Sequence, residues 1–198
     1  MGRNSNRLGT DNKPEHSDAP PMSPLNFVAP TEVVDLPSKG QGYPEDHPLN
    51  GVDFLEIKFM TAKDEDTLSN QSLIRKGIAL ERVIQNIIVD DEIDPLSLLV
   101  CDRNAILIKA RATAYGANYD AMVNCPKCAT QNMMTFDLMS PKIEGGLDEE
   151  SLKKVQYAGD GLYQTTMPGT KFTVKFRLAN GEDENRIMEM AIQGKTVE

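Results

Sequence analysis

Prolines at positions 14, 20, 21, 24 and 30 punctuate an opening segment that holds few large apolar side chains. Such a segment cannot bury enough apolar surface to offset the entropy of ordering it. Residues 1–30 are therefore expected to form a disordered arm, with Leu25, Phe27 and Val28 as its anchors should it order on a neighbouring subunit. Folding is thereby confined to about 165 residues, enough to bury a real core. Across the 198 residues, 21 Lys and Arg oppose 30 Asp and Glu, a formal charge of −9. That balance argues against a surface that grips nucleic acid through its phosphates. No apolar run of about 18 residues is present, so no membrane span is expected. Met1 leads into polar sequence, so no signal peptide is expected either. Three cysteines do not make a disulfide framework, which points to a reducing compartment.

The remaining sequence reads as an α+β chain in which a small helical subdomain is flanked by short strand and helix units. Residues 31–60 are a turn-rich β segment. Thr31–Leu36 is β-prone, Pro37–Pro44 is dense in turn residues, and Val52–Phe59 alternates, with Leu55, Ile57 and Phe59 opposite Glu56 and Lys58. Residues 61–117 are the helical subdomain. Thr61 and Asp64 open its first helix as a capping pair, and Gly77 interrupts the apolar stripe that continues through Leu80, Val83, Ile84, Ile87 and Ile88. Pro95–Val100 is expected as a short helix, and Asp102 as the cap of the next, which ends near Gly116. Arg103, Lys109 and Arg111 read as a solvated basic stripe on that helix.

Residues 118–140 read as a β-hairpin tipped by a cysteine knuckle. Residues 141–198 comprise a connector with a short helix over Glu149–Val155, a strand and a C-terminal helix. Phe172, Val174, Phe176 and Leu178 form one face of that strand, and Lys171, Thr173, Lys175 and Arg177 the other. Ile187, Met188, Ala191 and Ile192 form a helical stripe with no evident cover, which another chain would supply. The many methionines of the C-terminal half are read as core packing, with an adaptable contact surface as the alternative. A Pro-Ser or Pro-Gly turn, a strand with Lys-Phe at or near its end and an acid-capped helix occur twice, around residues 36–66 and 167–184. A duplicated unit is one reading and chance likeness the other, since acidic residues favour any helix start.

The strongest chemical signal is Cys125-Pro126-Lys127-Cys128. Two thiolates at this spacing are half of a tetrahedral zinc site, so Cys125 and Cys128 are candidate metal ligands and zinc the candidate cofactor. The set is incomplete, with Cys101, His16 and His47 as the other ligand types, or a second subunit to supply the rest. Buried thiols closing a hairpin tip remain the simpler reading. No phosphate-binding glycine motif occurs, and both histidines lie in proline-rich irregular sequence, so no catalytic residue is assigned and no enzyme is expected.

Val33-Val34-Asp35-Leu36-Pro37-Ser38-Lys39-Gly40-Gln41-Gly42-Tyr43-Pro44, followed by Met60-Thr61-Ala62-Lys63-Asp64-Glu65-Asp66-Thr67-Leu68, resembles the baseplate hub protein family of T4-like contractile-tailed phages. The later Asp94–Leu99, Asp102–Leu107, Ala114–Tyr119, Cys125–Cys128 and Phe136–Leu138 stretches follow in the order that resemblance requires, over residues 31–192. The resemblance implies a non-enzymatic part of a tail baseplate hub, or a factor needed to assemble it. It also implies other hub and tail proteins as partners in an oligomer or hetero-complex, assembly in the bacterial host cytoplasm and a place in the virion tail. The alternative is a zinc-ribbon-like adaptor that binds a partner through the Cys125–Cys128 tip. For the baseplate reading the partners are proteins, with no nucleic acid and no membrane; the adaptor's tip would bind a partner protein or a nucleic acid.

Overall fold

The computed structural model describes residues 30–140 and 153–192. The expected disordered arm, with its anchors Leu25, Phe27 and Val28, lies outside the described residues, as does most of the expected helix over 149–155. Strand β1 (Thr31–Asp35) pairs antiparallel with β2 (Phe54–Lys58), Val34 opposite Leu55. Helices α1 (Ala62–Ser69), α2 (Gln71–Arg75) and α3 (Ala79–Ile87) follow, and then the long α4 (Val100–Tyr115). Gly77, at φ 72°, makes the left-handed turn that separates α2 from α3. The hairpin of β3 (Asn118–Asn124) and β4 (Gln131–Asp137) comes next. A three-stranded antiparallel sheet of β5 (Val155–Gly159), β6 (Leu162–Thr166) and β7 (Thr173–Arg177) precedes α5 (Gly181–Ile192). The architecture is mixed α and β, with three small antiparallel sheets. No described helix is long and apolar enough to cross a membrane.

Among the described residues, the core cluster lies wholly before β3. Leu55 and Ile57 of β2 turn inward onto Val83, Ile84 and Ile87 of α3 and Ile106 of α4. Every member of this cluster falls between Val34 and Ala110. Removing these aliphatic side chains from water drives this half to fold, at roughly 1.5–3 kcal/mol per fully buried side chain.

Three expectations need correction. Pro95–Leu99 is a series of turns, and α4 begins at Val100. Pro95 is itself fully buried. Asp102 is not a cap but a fully buried carboxylate inside the first turn of α4. It accepts hydrogen bonds from Ser38 N–H (2.9 Å), the Ser38 hydroxyl (2.6 Å) and the Tyr43 hydroxyl (2.7 Å). The turn-rich loop after β1 is thus tied to α4, because a buried carboxylate must find donors and this loop supplies them. The basic stripe is not a stripe either: Arg103 is buried and pairs with Glu184 of α5 at 2.9 Å. Lys109 reaches Glu32 of β1 at 3.6 Å, and Arg111 lies over the rings of Tyr115 and Tyr119.

Residues 153–166 also depart from the expected connector, since β5 and β6 form a hairpin there. Gly159, Asp160 and Gly161 all take positive φ at its turn, and Tyr157 faces Tyr163 across the strands. Val155, expected to end a helix, opens β5.

Candidate functional site

The two halves of the chain contain the same local construction. In the first, β2 ends at Lys58, Thr61 caps α1, and the Asp64 carboxylate accepts from the Thr61 backbone N–H at 2.9 Å. In the second, β7 ends at Arg177, Asn180 precedes α5, and the Asp183 carboxylate accepts from the Asn180 backbone N–H at 3.2 Å. Each strand pairs antiparallel with the strand before it. Position for position, Leu55 and Ile57 correspond to Val174 and Phe176.

Burial separates the two units. Ile57 is completely buried, whereas Phe176 is 37% and Phe172 73% exposed. In the first unit α3 and α4 cover the sheet, while no described helix lies across β7 in the same way. Tyr157, Tyr163 and Phe176 line up across β5, β6 and β7, with Tyr163 stacked on Phe176 at 5.8 Å. One end of this face leans on the first half, where Leu178 packs against Gly42. The other end, toward Val174 and Phe172, is open. Ile187 and Met188 of α5 are each 53% exposed, and Met122, Met133, Met134 and Phe136 stand exposed on the β3–β4 hairpin. The expectation that the C-terminal methionines fill a core therefore fails for these residues. Among the described residues, no buried hydrophobic side chain lies beyond Ala112.

The junction between the halves is polar and close-fitting. Val100 N–H donates to Ala179 O, Gly181 N–H to Leu98 O and Glu182 N–H to Leu96 O, all within 3.0–3.1 Å. Arg177 grips Asp183 with two hydrogen bonds of 2.6 and 2.9 Å, and this holds the Asp183 carboxyl below the usual carboxylate range.

Cys125 and Cys128 are brought together on the turn joining β3 and β4. Cys125 N–H donates to Thr130 O and Ala129 N–H to Cys125 O, while Ala129 turns the chain at φ 56°. Cys128 Sγ lies 3.2 Å from the Thr130 hydroxyl. Contacts with Thr130, and then with the Cys125 thiol, draw the Cys128 thiol below its ordinary pKa. The other candidate ligands within the described residues are engaged elsewhere. Cys101 Sγ is 3.6 Å from the Asp102 carboxylate, and His47 lies against Tyr43, ring on ring at 4.4 Å. His16 lies outside the described residues. Among those described, no group of three or more His, Cys, Asp or Glu is placed to hold a metal ion.

One pairing escaped the sequence: His47 Nε2 and Ser97 Oγ are 2.8 Å apart. This is the geometry of a nucleophile and base, but the hydrogen bonds run the wrong way for it. The Leu49 N–H donates to His47 Nδ1, so the ring proton sits on Nε2 and points at Ser97. Ser97 in turn donates to the Asp94 carbonyl. No lone pair on the imidazole faces the serine hydroxyl, and the pair acts as a brace.

In this acidic chain the buried core belongs to the first half, and the second half presents uncovered apolar side chains. The family model described as T4 bacteriophage base plate protein matches residues 31–195, and the chain belongs to that family. It is therefore a bacteriophage baseplate protein, a structural component of the tail. No curated protein and no solved structure matches it.

Proposed function

We propose that this baseplate protein is a non-enzymatic part of the baseplate hub, or a factor required to assemble it, acting through protein–protein contacts. The observation that carries the proposal is the contrast between Ile57 and Phe176, corresponding positions of two like units, one sealed by α3 and the other exposed. Neighbouring hub and tail subunits would cover β7 and α5 much as α3 covers β2. Apolar area of this kind suits a partner that buries it permanently or during assembly. Assembly would take place in the cytoplasm of the bacterial host.

The test is quantitative mass spectrometry of purified phage particles and of isolated tail intermediates. Stoichiometric copies in both support a permanent hub subunit, and presence only in intermediates supports an assembly factor. Absence from both overturns the proposal.

A further inference from the structure

We propose that Cys125 and Cys128 are half of a tetrahedral zinc site completed by the same two cysteines of a second copy of this chain, so that one zinc ion joins two hairpin tips. The inference concerns the tip of the β3–β4 hairpin and does not depend on the uncovered C-terminal face.

Cys-x-x-Cys on a tight turn is the arrangement that lets two thiolates take two adjacent corners of a tetrahedron. Here the turn is closed by two backbone hydrogen bonds, from Cys125 N–H to Thr130 O at 2.9 Å and from Ala129 N–H to Cys125 O at 2.8 Å. Ala129, directly after Cys128, turns the chain in the left-handed region at φ 56°. Pro126 fixes the backbone between them. The Thr130 hydroxyl, beside Cys128 Sγ, is placed as an outer-shell partner for a bound thiolate.

A closed site needs two further ligands, and no described cluster of this chain supplies them. An identical tip offers the missing pair. The strands behind the tip are exposed along nearly their whole length, so among the described residues no bulk of the same chain stands between two approaching tips. The resulting contact is isologous, each tip meeting its own equivalent across a two-fold axis. Four soft sulfur ligands in a tetrahedron select zinc over harder divalent ions. As four Zn–S bonds form, the four thiol protons pass to solvent. The doubly negative centre that results is flanked by Lys127 of each tip, whose ammonium groups offset it.

The test uses the full chain, purified reduced and titrated with zinc alone, with metal content and molar mass measured on the same sample. The expected result is one zinc per two chains, in a dimer that a chelator separates into monomers. Cobalt substitution should give the absorption of a four-thiolate tetrahedral site. Cys125→Ser and Cys128→Ser should each abolish metal retention and dimerisation, with far-ultraviolet circular dichroism unchanged, while Cys101→Ser should leave both intact. The cobalt spectrum of the unsubstituted protein keeps the test decisive if a variant fails to fold. One zinc per monomer, no zinc retained, or a dimer that survives both chelation and Cys125→Ser would each overturn the proposal.

Discussion

The Tyr43 hydroxyl donates to Asp102 Oδ2 over 2.7 Å and accepts from the Leu99 backbone N–H at 3.1 Å. Burial, and next to it the negative charge of Asp102, push this phenol far above its usual pKa, so it remains a donor at any pH the protein meets. Through one oxygen atom the loop after β1, the turns before α4 and α4 itself are held together. The same loop then supplies Gly42, against which Leu178 of the second half packs. The polar hub inside the core thus sets where the uncovered face is presented.

Tyr43→Phe removes that oxygen with little change of shape. It leaves a buried carboxylate one donor short and a buried N–H without an acceptor. The expected loss is about 1–3 kcal/mol, read as a lower urea midpoint at unchanged slope.

Ile57→Ala and Phe172→Ser separate folding from docking. Deleting the completely buried Ile57 side chain should cost about 2–5 kcal/mol. Phe172→Ser, at a position 73% exposed, should change the stability of the isolated protein by no more than about 0.5 kcal/mol. Only Phe172→Ser should give a protein that is fully folded yet poorly incorporated in a phage complementation assay scored by tail yield.

Stability should fall as pH drops from 7 toward 5, and His47 is the reason. Burial lowers its pKa below 6.5, and its Nδ1 is occupied as the acceptor of the Leu49 N–H. Below pH 6.5 the unfolded chain therefore takes up a proton that the folded chain resists, so acid favours unfolding. Asp64 and Asp183, both with lowered pKa, add their loss only as pH falls below about 4. His47→Gln should flatten the pH 7 to 5 slope in chemical denaturation and leave the lower acid limb in place.

Gly161→Ala should loosen the join between the halves. A methyl group there would sit 2.8 Å from the Gly42 carbonyl oxygen, at φ +70°. Gly159→Ala meets nothing within 4 Å and bears only the backbone strain of its own φ of +90°. Hydrogen exchange should show faster opening of residues 153–192 in Gly161→Ala, with protection in α3 retained.

The first half was the more legible in sequence because local and tertiary demands agree there. Leu55 and Ile57 alternate as a half-buried strand should, Thr61 and Asp64 open a helix, and Gly77 interrupts one. Asp102 misled because a carboxylate near a helix start is ordinarily a cap. Only the folded loop reveals that Ser38 and Tyr43, far away in the chain, are its donors. The β5–β6 hairpin was marked by Asp160-Gly161 between tyrosines, a turn signal obscured by the acid- and glycine-rich sequence before it. At the candidate site, the alternation of Phe172, Val174, Phe176 and Leu178 was plain, but not that it would be left uncovered. An apolar face looks the same in sequence whether its cover lies within the chain or on a partner. The brace between His47 and Ser97 joins two irregular segments, so no periodicity announced it.

The central claim is that the second unit is covered in the baseplate. Hydroxyl-radical footprinting, read by mass spectrometry, compares free protein with the same protein in isolated baseplates or hub intermediates. The account predicts strong protection of Phe172, Phe176, Ile187 and Met188 in the assembly, with the already buried Tyr43 slow to react in both states. Equal labelling of these four side chains in free and assembled protein would contradict it.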